Sequence, residues 1–189
     1  MTGQVKDVLL VNQREWTILS REFLGPSDQA LGYETNPPST ANYRGRRDTF
    51  GLVGRQLLLL KSDVALAPTV DDAFAPAGAT RTNRKMDPFR GDATFVFSSH
   101  PLGVTRSLFV GYGFLGHAGI GRPVFEWEAT LSVCDGVVGE PVDVERFVLV
   151  PEVVDNETRR GPTWKKSKLE AHTVPFDDFV DGALFGPAD

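Results

Sequence analysis

The chain has 189 residues, 41% of them hydrophobic, and a formal net charge of −5 at pH 7. That length fits one domain, or one domain with a tail, and the apolar fraction suits a protein with a real core. The single cysteine, Cys134, excludes an intramolecular disulfide, and no run approaches the roughly 20 apolar residues that a membrane helix needs.

Charge is unevenly placed. Basic residues outnumber acidic ones from Arg44 to Arg90, and the balance reverses from Glu140 onward. Such asymmetry gives a dipolar surface that can orient a partner, or simply solvated loops of different sign. The start, Met1-Thr2-Gly3-Gln4-Val5-Lys6-Asp7, does not read as a signal peptide. With one free thiol, the expectation is a cytoplasmic protein that does not enter a membrane.

Val5–Val11 reads as a first strand and Arg14–Ser20 as a second, joined by a turn at Asn12-Gln13. A short helix is expected around Asp28-Gln29-Ala30-Leu31, with Ser27 as its cap and Gly32 as its stop. Asn36-Pro37-Pro38-Ser39 is a stiff extended link.

The central stretch, Thr40 to Leu66, reads as two antiparallel strands around a turn at Val53-Gly54-Arg55. Leu57 to Leu60 form a continuous apolar run, which suits a strand covered on both faces. The first strand has a wrinkle, because Arg44, Arg46 and Asp48 share a face with Phe50. A bulge at Gly45 would move Arg44 to the other face and bring Tyr43 beside Phe50. Arg46 and Asp48 stay beside Phe50 in either case. If they face inward they must pair or reach a ligand, because a lone buried charge is very costly.

Ala67 to Asp92 lacks periodicity and reads as a long inserted loop, either a lid or a dispensable insertion. Strands return at Ala93–Phe97 and Thr105–Val110, followed by the glycine-rich run Gly111 to Gly121. Phe125 to Cys134 alternates cleanly, with Phe125, Trp127, Ala129, Leu131 and Val133 on the apolar face. Asp135-Gly136 signals a hairpin, and the next strand is broken near Pro141 and resumes over Val142–Val150. These readings give an all-β, mainly antiparallel fold, a β-barrel or a β-sandwich, with at most one or two short helices. A single domain is expected over residues 1–151, with a polar C-terminal extension over 152–189.

The central stretch resembles a group of small bacterial proteins to which no function is attached. They carry Thr-Ala, two residues, Arg-Gly, then an aromatic residue, a turn and a leucine-rich strand. Here these are Thr40, Ala41, Arg44, Gly45, Phe50 and Leu57–Leu60. His117, Gly119 and the strand Phe125–Leu131 extend the likeness, so it spans most of Val5–Val138. The group carries tryptophan where Phe50 stands and lacks a loop as long as Ala67–Asp92. The resemblance implies no catalytic residue.

Gly111-Tyr112-Gly113-Phe114-Leu115-Gly116 matches G-x-G-x-x-G, but Gly119, Gly121 and Pro123 cannot make the helix that a dinucleotide site requires. A glycine-rich turn is the expected structure. The histidines His100, His117 and His172 have no metal-ligand spacing, so neither a metal nor a cofactor is expected. His117, Glu126 and Glu128 are the candidates for acid–base work, against the alternative of a loop histidine and a wet strand face. Arg44, Arg46 and Arg47 are too few and too close for phosphate-driven nucleic-acid binding; pairing of Arg46 with Asp48 or Glu126 is the expected use. Hydrolase elbows, P-loops and H-E-x-x-H motifs are absent.

Two functions remain open. One is a non-enzymatic binding protein that engages a protein partner, as an inhibitor or immunity protein does, with the acidic-aromatic tail Pro175–Asp181 as a contact. The other is a small-molecule barrel that encloses an apolar ligand, with cyclase or isomerase chemistry as one use. Its candidate ligand-binding residues are Trp16, Tyr43, Arg44, Arg46, Phe50, Tyr112 and Trp127.

Overall fold

A computed structural model describes residues 6–20, 24–39, 42, 44–118, 122–152 and 163–185. In chain order the elements are β1 (Val8–Val11), β2 (Arg14–Ile18), α1 (Asp28–Leu31), β3 (Arg46–Val53), β4 (Gln56–Val64), β5 (Ala79–Asp87) and β6 (Gly91–Phe97). Then come β7 (Arg106–Ala118), β8 (Arg122–Cys134), β9 (Val137–Val138), β10 (Val142–Glu152), β11 (Thr163–Val174), α2 (Phe176–Asp181) and a 3-10 turn (Ala183–Phe185).

Strands β8–β7–β2–β1–β3–β4 lie side by side, and the short β9 pairs with both β4 and β8, so that a seven-strand barrel closes. The β1–β3 pair is parallel and the other pairs are antiparallel, which makes the barrel mixed. Closure leaves the seven barrel strands without a free edge. Beyond the seam, β10 and β11 extend the sheet from β8, and β6 and β5 extend it from β4.

Local chemistry explains the turns and caps. Asp135 and Gly136 have φ of 49° and 75°, the two left-handed residues of a type I′ hairpin. Ser27 Oγ accepts the Ala30 N–H at 3.1 Å, and Gly32 closes α1 at φ 80°.

The strand wrinkle lies in β4 rather than at Gly45. Thr49 faces Lys61 but Phe50 faces Leu59, so Leu60 is the extra residue. Its side chain lies over Gly51, where a Cβ would come within 2.5 Å of Leu60 Cδ1. The bulge keeps Leu57 and Leu59 inward on one side and Ser62 and Val64 inward on the other, all fully buried. Leu58 points outward and is covered by the chain at Pro101 and Leu102.

Three expectations are corrected. The stretch 67–92 is not one long loop, because its second half is β5, paired along β6. The glycine-rich run is not a turn, because β7 continues through it to Ala118 opposite β8. The polar stretch after Glu152 contains β11, paired along β10, and then α2 with Phe176 and Phe179 buried.

The core is continuous through the barrel. Leu9, Trp16, Phe50, Leu59, Leu108, Val110, Trp127 and Leu131 belong to one buried cluster, which Phe176, Phe179 and Phe185 join from the C-terminal segment. No helix among the described residues is long and apolar enough to cross a membrane.

Candidate functional site

Alternation on β3 turns Arg46, Asp48 and Phe50 into the barrel, and all are at most 1% exposed. Two of these are charges, and the chain satisfies them with groups from distant positions. Arg46 donates from Nε and Nη2 to both oxygens of Asp48, at 2.8 and 2.6 Å. Its Nη1 donates to Asp28 on α1 at 2.8 Å, and Ser62 Oγ on β4 donates to Asp48 at 2.6 Å. Asp7 accepts the Asp48 backbone N–H at 2.9 Å and holds Arg44 through both guanidinium ends, at 2.6 and 3.1 Å. The expected Arg46–Asp48 pair is therefore present, and it is bidentate, the strongest geometry such a pair can adopt.

The main chain at Gly25 lies directly on this pair. A Cβ there would stand 2.7 Å from Arg46 Nη2 and 2.8 Å from Asp48 Oδ2. The segment leading into α1 thus caps this end of the barrel. Burial pushes the Asp48 carboxyl up, Arg46 and Ser62 pull it down, and Asp7 pushes it up again, leaving it above its ordinary value. Burial opposes the Arg46 charge, but Asp48 beside it prevails and holds the guanidinium protonated beyond its usual range. Burial also raises the Tyr33 hydroxyl well above the usual phenol range, against the pull of Arg46.

Beside the cap lies an open cleft of about 850 Å³ between α1 and the turn at 69–74. Tyr33, Val70 and Phe74 supply its apolar walls, and Asp28, Glu34 and Asp71 bring carboxylates to it. Phe74, Tyr33 and Phe95 form an aromatic triangle, with ring centroids 5.3 to 6.4 Å apart. Thr35 Oγ1 donates to the second Asp28 oxygen at 2.9 Å, so Asp28 joins the cleft to the buried ion network.

The sequence candidates separate into three places. Arg44, Arg46 and Phe50 belong to the charged end. Trp16, Tyr112 and Trp127 gather instead around the C-terminal segment, with Trp16 and Tyr112 5.4 Å apart. Tyr43 lies outside the described residues. His117 is exposed and meets the Phe114 ring edge-on at 5.2 Å. Glu126 accepts from Arg146 at 2.8 Å and Glu128 from Lys166 at 2.6 Å, so each is engaged by its own cation on the neighbouring strands. Each of these three candidates thus has its own local partner. Among the described residues, no group of three or more His, Cys, Asp or Glu is placed to hold a metal ion.

Asp7, Asp28, Tyr33, Ser62 and Phe74 were not apparent as site residues from sequence. Only Asp28 carried a local signal, as the first helical residue after a serine cap. Comparison with family models, curated proteins and solved structures finds no match for this chain.

Proposed function

We propose that this barrel is a small-molecule-binding protein whose site is the cleft between α1 and residues 69–74, and that its ligand is a compact organic cation with an apolar body. One observation carries the reading: three carboxylates and two aromatic rings converge on a cleft with no lysine or arginine among its lining residues. Asp28 is already paired with Arg46, so Glu34 and Asp71 are the carboxylates left to compensate a positive charge there, with the Tyr33 and Phe74 rings beside them. The buried Arg46–Asp48 pair holds Asp28 in place from behind, which pre-organises the cleft.

Benzylamine and benzyl alcohol are the test pair, since they match in shape and differ in charge. Benzylamine should raise the melting temperature saturably, as any ligand of the native state does, and benzyl alcohol should not. The E34Q/D71N double variant should bind benzylamine at least tenfold more weakly. Equal responses to amine and alcohol, or unchanged binding by the double variant, would refute the proposal.

A protein partner is the second reading, and a different surface favours it. Phe114 and Leu115 on β7 and Trp164 and Leu169 on β11 are each at least 40% exposed. Exposed aromatic and aliphatic groups of this kind serve partner contacts. The acidic-aromatic tail does not serve that reading, because Phe176 and Phe179 are buried against the barrel core.

A further inference from the structure

The other end of the barrel is packed with aromatic rings. Trp16 on β2, Tyr112 on β7 and Trp127 on β8 surround the chain's own Phe185 there. Phe185 stands 5.0 Å from the Trp16 ring, 5.3 Å from Trp127, 5.8 Å from Phe179 and 6.5 Å from Tyr112. All four contacts are edge-on, at interplanar angles of 60° to 79°. Four rings thus form a cage around a fifth, which is carried on a three-residue 3-10 turn.

The cage leaves one polar requirement unmet. Trp16 is fully buried, and its indole Nε1–H has no acceptor among the described residues. A phenylalanine ring offers at most a weak N–H···π contact, not an acceptor oxygen or nitrogen. Buried donors are normally paired, and leaving one unpaired is costly. A guest with an aromatic body and an acceptor oxygen or nitrogen beside Trp16 Nε1 would meet a requirement that Phe185 leaves open.

We infer that this cage is a ligand site for a flat, phenyl-sized aromatic molecule bearing a hydrogen-bond acceptor, and that Phe185 is its internal competitor. Binding requires that the 3-10 turn at Ala183–Phe185 swing out, with Leu184 leaving its packing on the core; α2 stays anchored by Phe176 and Phe179. Phe176 lies under the Arg55 guanidinium, 5.3 Å from its ring centre, and Phe179 lies 5.2 Å from Trp16. Gly182 supplies the hinge at φ 71°. This site is separate from the cleft beside α1, and the two stand or fall independently.

Acetophenone and ethylbenzene are the probes, alike in size and differing in the carbonyl acceptor. The readout is the Trp16 indole N–H resonance of the unmodified chain, assigned with the W16F variant. Acetophenone should shift it saturably, while the Phe185 amide, bonded to Gly182 O, loses protection from exchange. Ethylbenzene should bind three- to tenfold more weakly. The F185A variant, freed of its competitor, should bind acetophenone at least tenfold more tightly than the parent. No saturable shift up to the solubility limit of acetophenone overturns the inference. So does a shift with the Phe185 amide still protected, or equal affinity in parent and F185A. If F185A does not fold, the resonance and exchange data on the unmodified chain decide alone.

Discussion

Replacing Arg46 with methionine removes one partner of a fully enclosed ion pair and leaves Asp48 with Ser62 as its remaining side-chain donor. Asp28 loses a donor as well, but its side chain is 33% exposed and water can take the place of Arg46. Asp48 has no such recourse at 0% exposure. Breaking a buried pair from one side costs about 3–5 kcal/mol. Its pH dependence identifies the cause. A carboxyl raised above its ordinary value is held more tightly protonated in the folded chain than in the unfolded one. Stability from Asp48 is therefore greatest below the ordinary aspartate range and falls as pH rises towards the folded value. Without Arg46 the folded value climbs further, so the deficit of R46M grows with pH by up to about 1.4 kcal/mol per unit across the added window. Urea unfolding at pH 5 and pH 8 measures this, and the deficit should be larger at pH 8. The R46M/D48L double variant removes both charges and should regain most of the loss, since apolar replacement of a buried pair is often neutral or stabilising. A deficit for R46M below about 1 kcal/mol at pH 8, or a double variant no better than the single, refutes the reasoning.

Three further variants probe the same framework by chemical denaturation. S62A removes the hydroxyl that donates to Asp48 at 2.6 Å and should cost about 1–3 kcal/mol. G25A drives a methyl into Arg46 Nη2 and Asp48 Oδ2 and should cost about 1–3 kcal/mol as overpacking; an unchanged midpoint would mean the cap does not sit on the pair. F179A deletes a ring that is 1% exposed and should cost about 3–5 kcal/mol, whereas a peripheral tail would lose nothing.

Legibility in the sequence followed one physical rule: elements that bury one face announce themselves. β8 alternates because Trp127, Ala129, Leu131 and Val133 enter the core while its other face stays wetter. β5 and β11 are edge strands with little buried on either face, so Thr-Arg-Thr-Asn-Arg-Lys and Lys-Lys-Ser-Lys look like loop. The lysines and arginines that hide them from pattern reading also protect the edges from pairing with another chain. The C-terminal segment did carry a signal. Phe176 and Phe179 stand three apart, as a buried helical face requires, but the aspartates between them mask it. The site was half legible. Arg46 and Asp48 had to pair once alternation turned them inward, but Asp7, Asp28 and Ser62 reach them through tertiary contacts that no local pattern encodes.

The barrel's two ends are closed by different kinds of interaction, and that difference decides which end can exchange its occupant. At the charged end each closing group is fixed in direction: Arg46 reaches three carboxylate oxygens and Asp7 three nitrogens. Removing Asp28 leaves the buried Arg46 Nη1 donor in need, so α1 cannot lift without breaking that bond. The ligand site proposed above lies beside that cap, in the cleft, where Asp28 is already held in position. At the aromatic end Phe185 is retained by burial, which is non-directional, and by edge-on ring contacts that another aromatic ring can also make. Another aromatic body can replace it with little loss of packing, and one with an acceptor gains the Trp16 hydrogen bond in addition. A rigid closure that shapes an outer cleft and a soft closure that can be displaced are thus two consequences of one barrel sequence.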